Sequence, residues 1–158
     1  AAQVVHYQFL GYSIGDGSNY EMPQILSAAN APFEHDTSTG SDGLTAQTTN
    51  QIIRCGGRVM PYAGSLTRWT GWSTSAGSGT VDIGLFKATP TRNDATNLTP
   101  ILLKNTQYTA LGNTKMEDFT ETSFSVDFAA GDIIYTAVKG SGSSKLWYFN
   151  STLEVTWA

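Results

Sequence analysis

Leu146-Trp147-Tyr148-Phe149-Asn150-Ser151-Thr152-Leu153-Glu154-Val155-Thr156-Trp157 decides the fold class. Trp147, Phe149, Leu153, Val155 and Trp157 share one parity, and Tyr148, Asn150, Thr152, Glu154 and Thr156 share the other. Side chains alternate across a strand, so this period of two predicts a half-buried β-strand with one apolar face. Phe124, Val126 and Phe128 alternate with Ser125 and Asp127 in the same way. Val81, Ile83 and Leu85 alternate with Asp82, Gly84 and Phe86.

Working outward, strand-length segments recur at 51–55, 58–62, 65–73, 80–88, 101–110, 123–128, 132–139 and 146–157, separated by clusters of Gly, Asn, Ser and Pro. Such spacing is the mark of a sandwich or barrel. Turn chemistry at Ala76-Gly77-Ser78-Gly79, Ala129-Ala130-Gly131-Asp132 and Gly140-Ser141-Gly142-Ser143-Ser144 suits antiparallel connections. Composition agrees: 16 Gly, 21 Thr and 15 Ser stand beside 5 Glu and 5 Lys, which favours strands and turns over helices. The expected class is all-β, an antiparallel jelly-roll-like sandwich over residues 51–158.

Residues 1–50 read differently. After the apolar run Val4, Val5, Tyr7, Phe9, Leu10, they become rich in Gly, Ser, Asn, Asp and Thr. They predict an irregular extended arm whose scattered apolar residues drape over the domain or a neighbouring subunit.

Charged residues make up 14% of the chain, against roughly 25% in an average domain, and the net charge is −4. No run of Lys or Arg supplies the basic footprint that nucleic acid or anionic lipid requires, so neither is an expected partner. No stretch reaches the ~18 apolar residues of a membrane span. The start at Ala1-Ala2-Gln3 is expected to reflect removal of an initiator Met or cleavage from a longer protein. Cys55 is the single cysteine, which excludes an intrachain disulfide and predicts a buried, inert thiol.

Met60-Pro61-Tyr62-Ala63-Gly64-Ser65-Leu66-Thr67-Arg68-Trp69-Thr70-Gly71-Trp72 resembles the opening of a β-domain that recurs in bacteriophage fibre and virion proteins. Thr80–Lys87, Phe128–Ile134 and Ser151–Val155 follow in the order such domains show. The layout also resembles the C1q and tumour-necrosis-factor jelly roll, a typically trimeric family. The likeness spans residues 58–157. Outside it, Tyr20-Glu21-Met22-Pro23 and Ala31-Pro32-Phe33-Glu34-His35-Asp36 resemble stretches of marine phage structural proteins.

What the resemblance implies is a non-enzymatic phage virion protein, a capsid decoration or fibre-knob subunit. It would assemble as a homotrimer at the virion surface, after synthesis in the host cytoplasm, against the major capsid or fibre protein. Val4, Phe9, Tyr20, Met22, Phe33, Tyr62, Trp69, Trp72 and Tyr148 are the expected subunit or particle contacts, since large apolar and aromatic side chains dominate interfaces. The alternative is a receptor- or carbohydrate-binding module, in which exposed rings stack on a host surface glycan.

Catalysis is not expected. His35 beside Asp36 and after Glu34 allows a hydrolytic triad to be imagined with one of the serines, and Glu117-Asp118 with Glu121 is the densest acidic group. A solvated turn accounts for the second. Asp16, Asp36 and Asp42 sit in Gly- and Ser-rich stretches without the regular ligand spacing of a calcium loop, and no cofactor or metal is expected. Asn97-Leu98-Thr99 and Asn150-Ser151-Thr152 match a glycosylation pattern that has no meaning in a phage protein.

Overall fold

The computed structural model describes residues 3–13, 20, 57–76, 79–91, 100–109, 116–122, 124–140 and 146–158. Among these there are nine strands and no helix: β1 (Val4–Ser13), β2 (Arg58–Val59), β3 (Gly64–Ala76), β4 (Thr80–Ala88), β5 (Ile101–Thr109), β6 (Glu117–Glu121), β7 (Val126–Phe128), β8 (Ile133–Gly140) and β9 (Leu146–Trp157). All pairings are antiparallel. One sheet has the order β1-β9-β3-β6, with β7 also on β3, and the other has the order β2-β8-β4-β5. Because β6 and β7 lie on successive parts of β3, they act as one interrupted strand. The chain therefore lays down eight strands in jelly-roll order across two sheets.

The sheets close on one core. Trp69 and Leu66 of β3, Leu153, Val155 and Trp157 of β9, and Phe119 and Phe128 of β6 and β7 face Val81, Ile83, Leu85, Ile134 and Val138 of the second sheet, with Met60 beneath the link between them. Each is buried, and each large apolar side chain so removed from water contributes roughly 1.5–3 kcal/mol. The alternation expected of 146–157 is seen at 150–157, where Ser151, Leu153, Val155 and Trp157 are buried and Asn150, Thr152, Glu154 and Thr156 are not.

The central strands of the second sheet, β4 and β8, are buried on both faces. Tyr20, Phe86, Ala88, Ile133, Tyr135 and Ala137 form a second apolar cluster on its outer side. Phe86 stacks on Tyr135 at 5.4 Å and meets Tyr20 edge-on at 5.1 Å. Asp82, buried beside them, accepts hydrogen bonds from Asn105 Nδ2 (2.7 Å) and Gln107 Nε2 (2.8 Å), and the Tyr20 hydroxyl donates to Asn105 Oδ1 (2.6 Å). A buried carboxylate is tolerated only with such partners. The expectation that Asp82, Gly84 and Phe86 form a solvent face to Val81, Ile83 and Leu85 is thus corrected: β4 is buried on both sides.

The turn Ala129–Asp132 has the expected chemistry. Gly131 takes φ +90°, a region open to glycine. Asp132 closes the turn, its carboxylate accepting from Ala129 N (2.9 Å) and Thr89 Oγ1 (2.6 Å). Paired backbone bonds between Met60 and Asp132 and between Gly131 and Met60, both 2.8 Å, tie it to the β2–β3 link.

Two further expectations change. Val4–Ser13 is not arm: it pairs along its length with β9 and places Phe9 in the core at 2% exposure, so the sandwich begins well before residue 51. Glu117–Glu121 is not a solvated turn but β6, with Phe119 directed inward between Asp118 and Thr120. The segments 21–50 and 51–55 lie outside the described residues, as does Cys55.

Gly71 fixes how closely β3, β6 and β9 approach. A methyl group added there would lie 2.5 Å from the Asn150 carbonyl oxygen, 2.7 Å from Ser151 Cβ and 2.8 Å from Phe119 Cζ. Two of these neighbours belong to the backbone or its first side-chain carbon, so they cannot swing away. Gly71→Ala is expected to lower stability by about 1–3 kcal/mol through overpacking. Urea unfolding followed by tryptophan fluorescence measures this, and an unchanged midpoint would show that the strands can separate without cost.

Candidate functional site

Since β4 and β8, at the centre of the second sheet, are buried on both faces, the outer face of the β1-β9-β3-β6 sheet is the broader strand surface left to solvent among the described residues. Register places its side chains in rows. His6, Glu154 and Arg68 form one row, Gln8, Thr152, Thr70 and Thr120 the next, and Asn150, Trp72 and Asp118 the third. A bulge between Leu66 and Arg68 precedes these rows on β3 and sets which residues face out beyond it.

The rows are laced by side-chain bonds. His6 Nε2 lies 3.5 Å from Glu154 Oε2, and Thr67 Oγ1 donates to Glu154 Oε1 at 3.0 Å. Gln8 Nε2 donates to Asn150 Oδ1 at 3.0 Å, and Thr70 Oγ1 donates to the Phe119 carbonyl at 3.0 Å. At the sandwich margin, Lys104 and Glu121 pair at 3.1 Å across the two sheets.

Two shallow depressions meet on this face at Thr70 and Thr152. One, about 230 Å³, is lined by His6, Arg68 and Glu154 besides. The other, about 440 Å³, adds Gly71, Trp72, Met116, Asn150 and Ser151. Trp72 is 52% exposed, an unusual state for so large an apolar ring.

A second surface emerges from the ends of the strands. Val4 opens β1 opposite Thr156, Val59 closes β2 opposite Ile133, and Ile101 opens β5 opposite Lys87 with Leu102 next to it. Tyr62, in the β2–β3 link, rests edge-on against Trp157 at 5.8 Å and is 67% exposed. Following the register, all five lie at the same end of the sandwich. They are five of the seven exposed large apolar side chains among the described residues, the other two being Trp72 and Met116.

The residues singled out from the sequence thus separate. Val4, Tyr62 and Trp72 are exposed; Phe9 and Trp69 belong to the core, and Tyr20 is buried on the outer side of the second sheet. Tyr148 takes its place in β9 opposite Tyr12 and Thr74. Met22 and Phe33 lie outside the described residues. Sequence reading missed Val59, Ile101, Leu102 and Met116, and the amide and hydroxyl neighbours of Trp72. Three of these, Asn150, Thr70 and Thr152, carried a signal, since Thr70 shares Trp72's solvent-facing parity on β3 and Asn150 and Thr152 share one outward parity on β9.

One sequence pattern in a described strand bears on catalysis. Gly11-Tyr12-Ser13-Ile14-Gly15 has the Gly-x-Ser-x-Gly spacing of a nucleophile elbow, with Ser13 at the end of β1. His6 is seven residues back on the same strand, so its backbone lies about 23 Å from that of Ser13 at the rise of a strand. His35, Asp36, Asp16 and Asp42 lie outside the described residues. Among the described residues, no three His, Cys, Asp or Glu side chains gather as metal ligands. No protein-family model matches this chain, and no curated protein matches its sequence.

Proposed function

We propose that this protein is a non-enzymatic structural subunit of a bacteriophage virion, a capsid decoration or fibre-knob protein that assembles as a homotrimer on the particle surface. The observation that carries the reading is the exposure of Val4, Val59, Tyr62, Ile101 and Leu102 around the same end of the sandwich. Exposed apolar side chains set around one end are a liability for a solitary domain and a resource for one that docks. Tyr62 is held in place by Trp157, so little of its side-chain entropy is lost on contact. The resemblance to phage β-domains and to a trimeric jelly-roll family supports the context and the stoichiometry. Its partners are then further copies of the chain and the major capsid or fibre protein.

Light scattering on the full chain tests this. The expected mass is about three times 17.0 kDa, falling to the single-chain mass in a Tyr62→Ser, Ile101→Ser double variant whose circular dichroism is unchanged. A monomer for the unaltered chain at every concentration would sink the self-association reading.

A further inference from the structure

The Trp72 depression lies on a sheet face, away from the apolar end, and asks for a different occupant. We infer that it is a binding site for a neutral saccharide, with one pyranose ring stacked on Trp72. This goes beyond the assembly reading and does not depend on it.

The chemistry around the ring selects the ligand class. A pyranose offers a face of C–H groups and an edge of hydroxyls, each both donor and acceptor. Trp72 presents a flat apolar surface at 52% exposure, and its rim is made of Thr70, Thr152 and Asn150, uncharged groups able to donate and accept. The Gln8 bond to Asn150 Oδ1 orients the Asn150 amide, leaving its N–H groups and the Gln8 carbonyl for ligand hydroxyls. Asp118, exposed and directly across from Trp72 in register, adds an acceptor.

The same groups disfavour other occupants. A protein partner would meet one ring and Met116 among hydroxyls and amides, whereas interface centres are apolar. An acidic glycan or a nucleic acid would approach Asp118 and the neighbouring Glu117 with no cation in this depression to pair with. Arg68, in the adjoining depression, shares its row with Glu154. The rigidity of the platform also fits a binding role: Gly71 and Phe119 lock the strand that carries Trp72 from below, so the ring is presented at little entropic cost.

The test is an array of neutral glucan, galactan and mannan oligosaccharides, with sulfated and uronate-bearing ones alongside, probed with the full-length protein and followed by calorimetry on any hit. A neutral oligosaccharide is expected to bind, with Trp72→Ala weakening it at least about tenfold and Asn150→Ala weakening it less. Trp72→Phe should keep part of the affinity, because a smaller ring still stacks. All three variants should retain the unaltered protein's circular dichroism and its mass in solution. The Tyr62→Ser, Ile101→Ser variant should still bind sugar per chain, which separates failure of this site from failure of the assembly reading. No neutral oligosaccharide binding, binding that survives Trp72→Ala, or a preference for the acidic members would each overturn the assignment.

Discussion

Trp69→Ala is expected to cost about 3–5 kcal/mol, the range for emptying a buried tryptophan site. Small domains have only about 5–15 kcal/mol in total. Trp69 is wholly buried, sits opposite Leu153 in register and meets the Phe119 ring edge-on at 4.9 Å. Its neighbours belong to both halves of the core, and β3, which carries it, is the strand on which β6, β7 and β9 all pair, so the cavity cannot close by moving one loop. Trp69 Nε1 is buried without a hydrogen-bond partner, and such a group carries a desolvation cost of about 1–3 kcal/mol. Trp69→Phe removes that group along with some volume, and should therefore lose much less than Trp69→Ala. Three residues along the same strand, Trp72→Ala should stay within about 0.5 kcal/mol, as surface changes do. Urea unfolding of the three variants decides the matter, with the slope of the transition checked for constancy. Equal losses at positions 69 and 72 would mean that the two faces of β3 have been misassigned.

Much of this fold can be read in the chain, and the unread parts have physical causes. Alternation is visible where a strand has one wet face, as at Asn150–Trp157. It misleads where both faces are buried: Asp82, Gly84 and Phe86 look like a solvent face, but Asn105 and Gln107 donate the hydrogen bonds that let Asp82 go inside, and the Tyr20 hydroxyl in turn donates to Asn105. β6 is unreadable because Phe119 is a lone apolar residue among acids, and one point defines no period. β1 did carry a period of two, Val5, Tyr7 and Phe9 against Val4, His6 and Gln8, but the Gly- and Ser-rich residues after it dominate the composition of that third of the chain.

The candidate sites were legible to a lesser degree. The opposite parity of Trp69 and Trp72 says that one ring leaves the core, but choosing which requires knowing that Leu153 lies across from the first and Asn150 from the second. The apolar end could not be seen at all. Val4, Val59, Tyr62 and Ile101 are scattered through the chain and come together only when β1, β2 and β5 all begin or finish at the same end of the sandwich.

A chain beginning at residue 14 is expected to lose its cooperative unfolding transition rather than merely its oligomeric state. β1 pairs with β9 from Val4 opposite Thr156 to Ser13 opposite Trp147, and the Trp157 amide donates to the Gln3 carbonyl at 3.0 Å. Phe9 alone contributes roughly 1.5–3 kcal/mol by burial. Val5 and Tyr7 pack against the same core, and Tyr7 meets Trp157 edge-on at 6.2 Å. Removal would also turn β9 into an unprotected edge, flanked by the apolar side chains of Leu153, Val155 and Trp157, which invites aggregation. Had residues 1–50 been a detachable arm, such a truncation would loosen a trimer and leave each sandwich intact. With β1 inside the sheet, the truncated protein should show depleted near-ultraviolet circular dichroism and elute as aggregate. A synthetic peptide of residues 3–13 added during refolding should restore the signal, because an extended peptide can complete an open sheet edge. That rescue distinguishes a missing strand from general damage, and a truncated chain that unfolds cooperatively within about 1 kcal/mol of the intact one, less than Phe9 burial alone should contribute, would return β1 to the status of an arm.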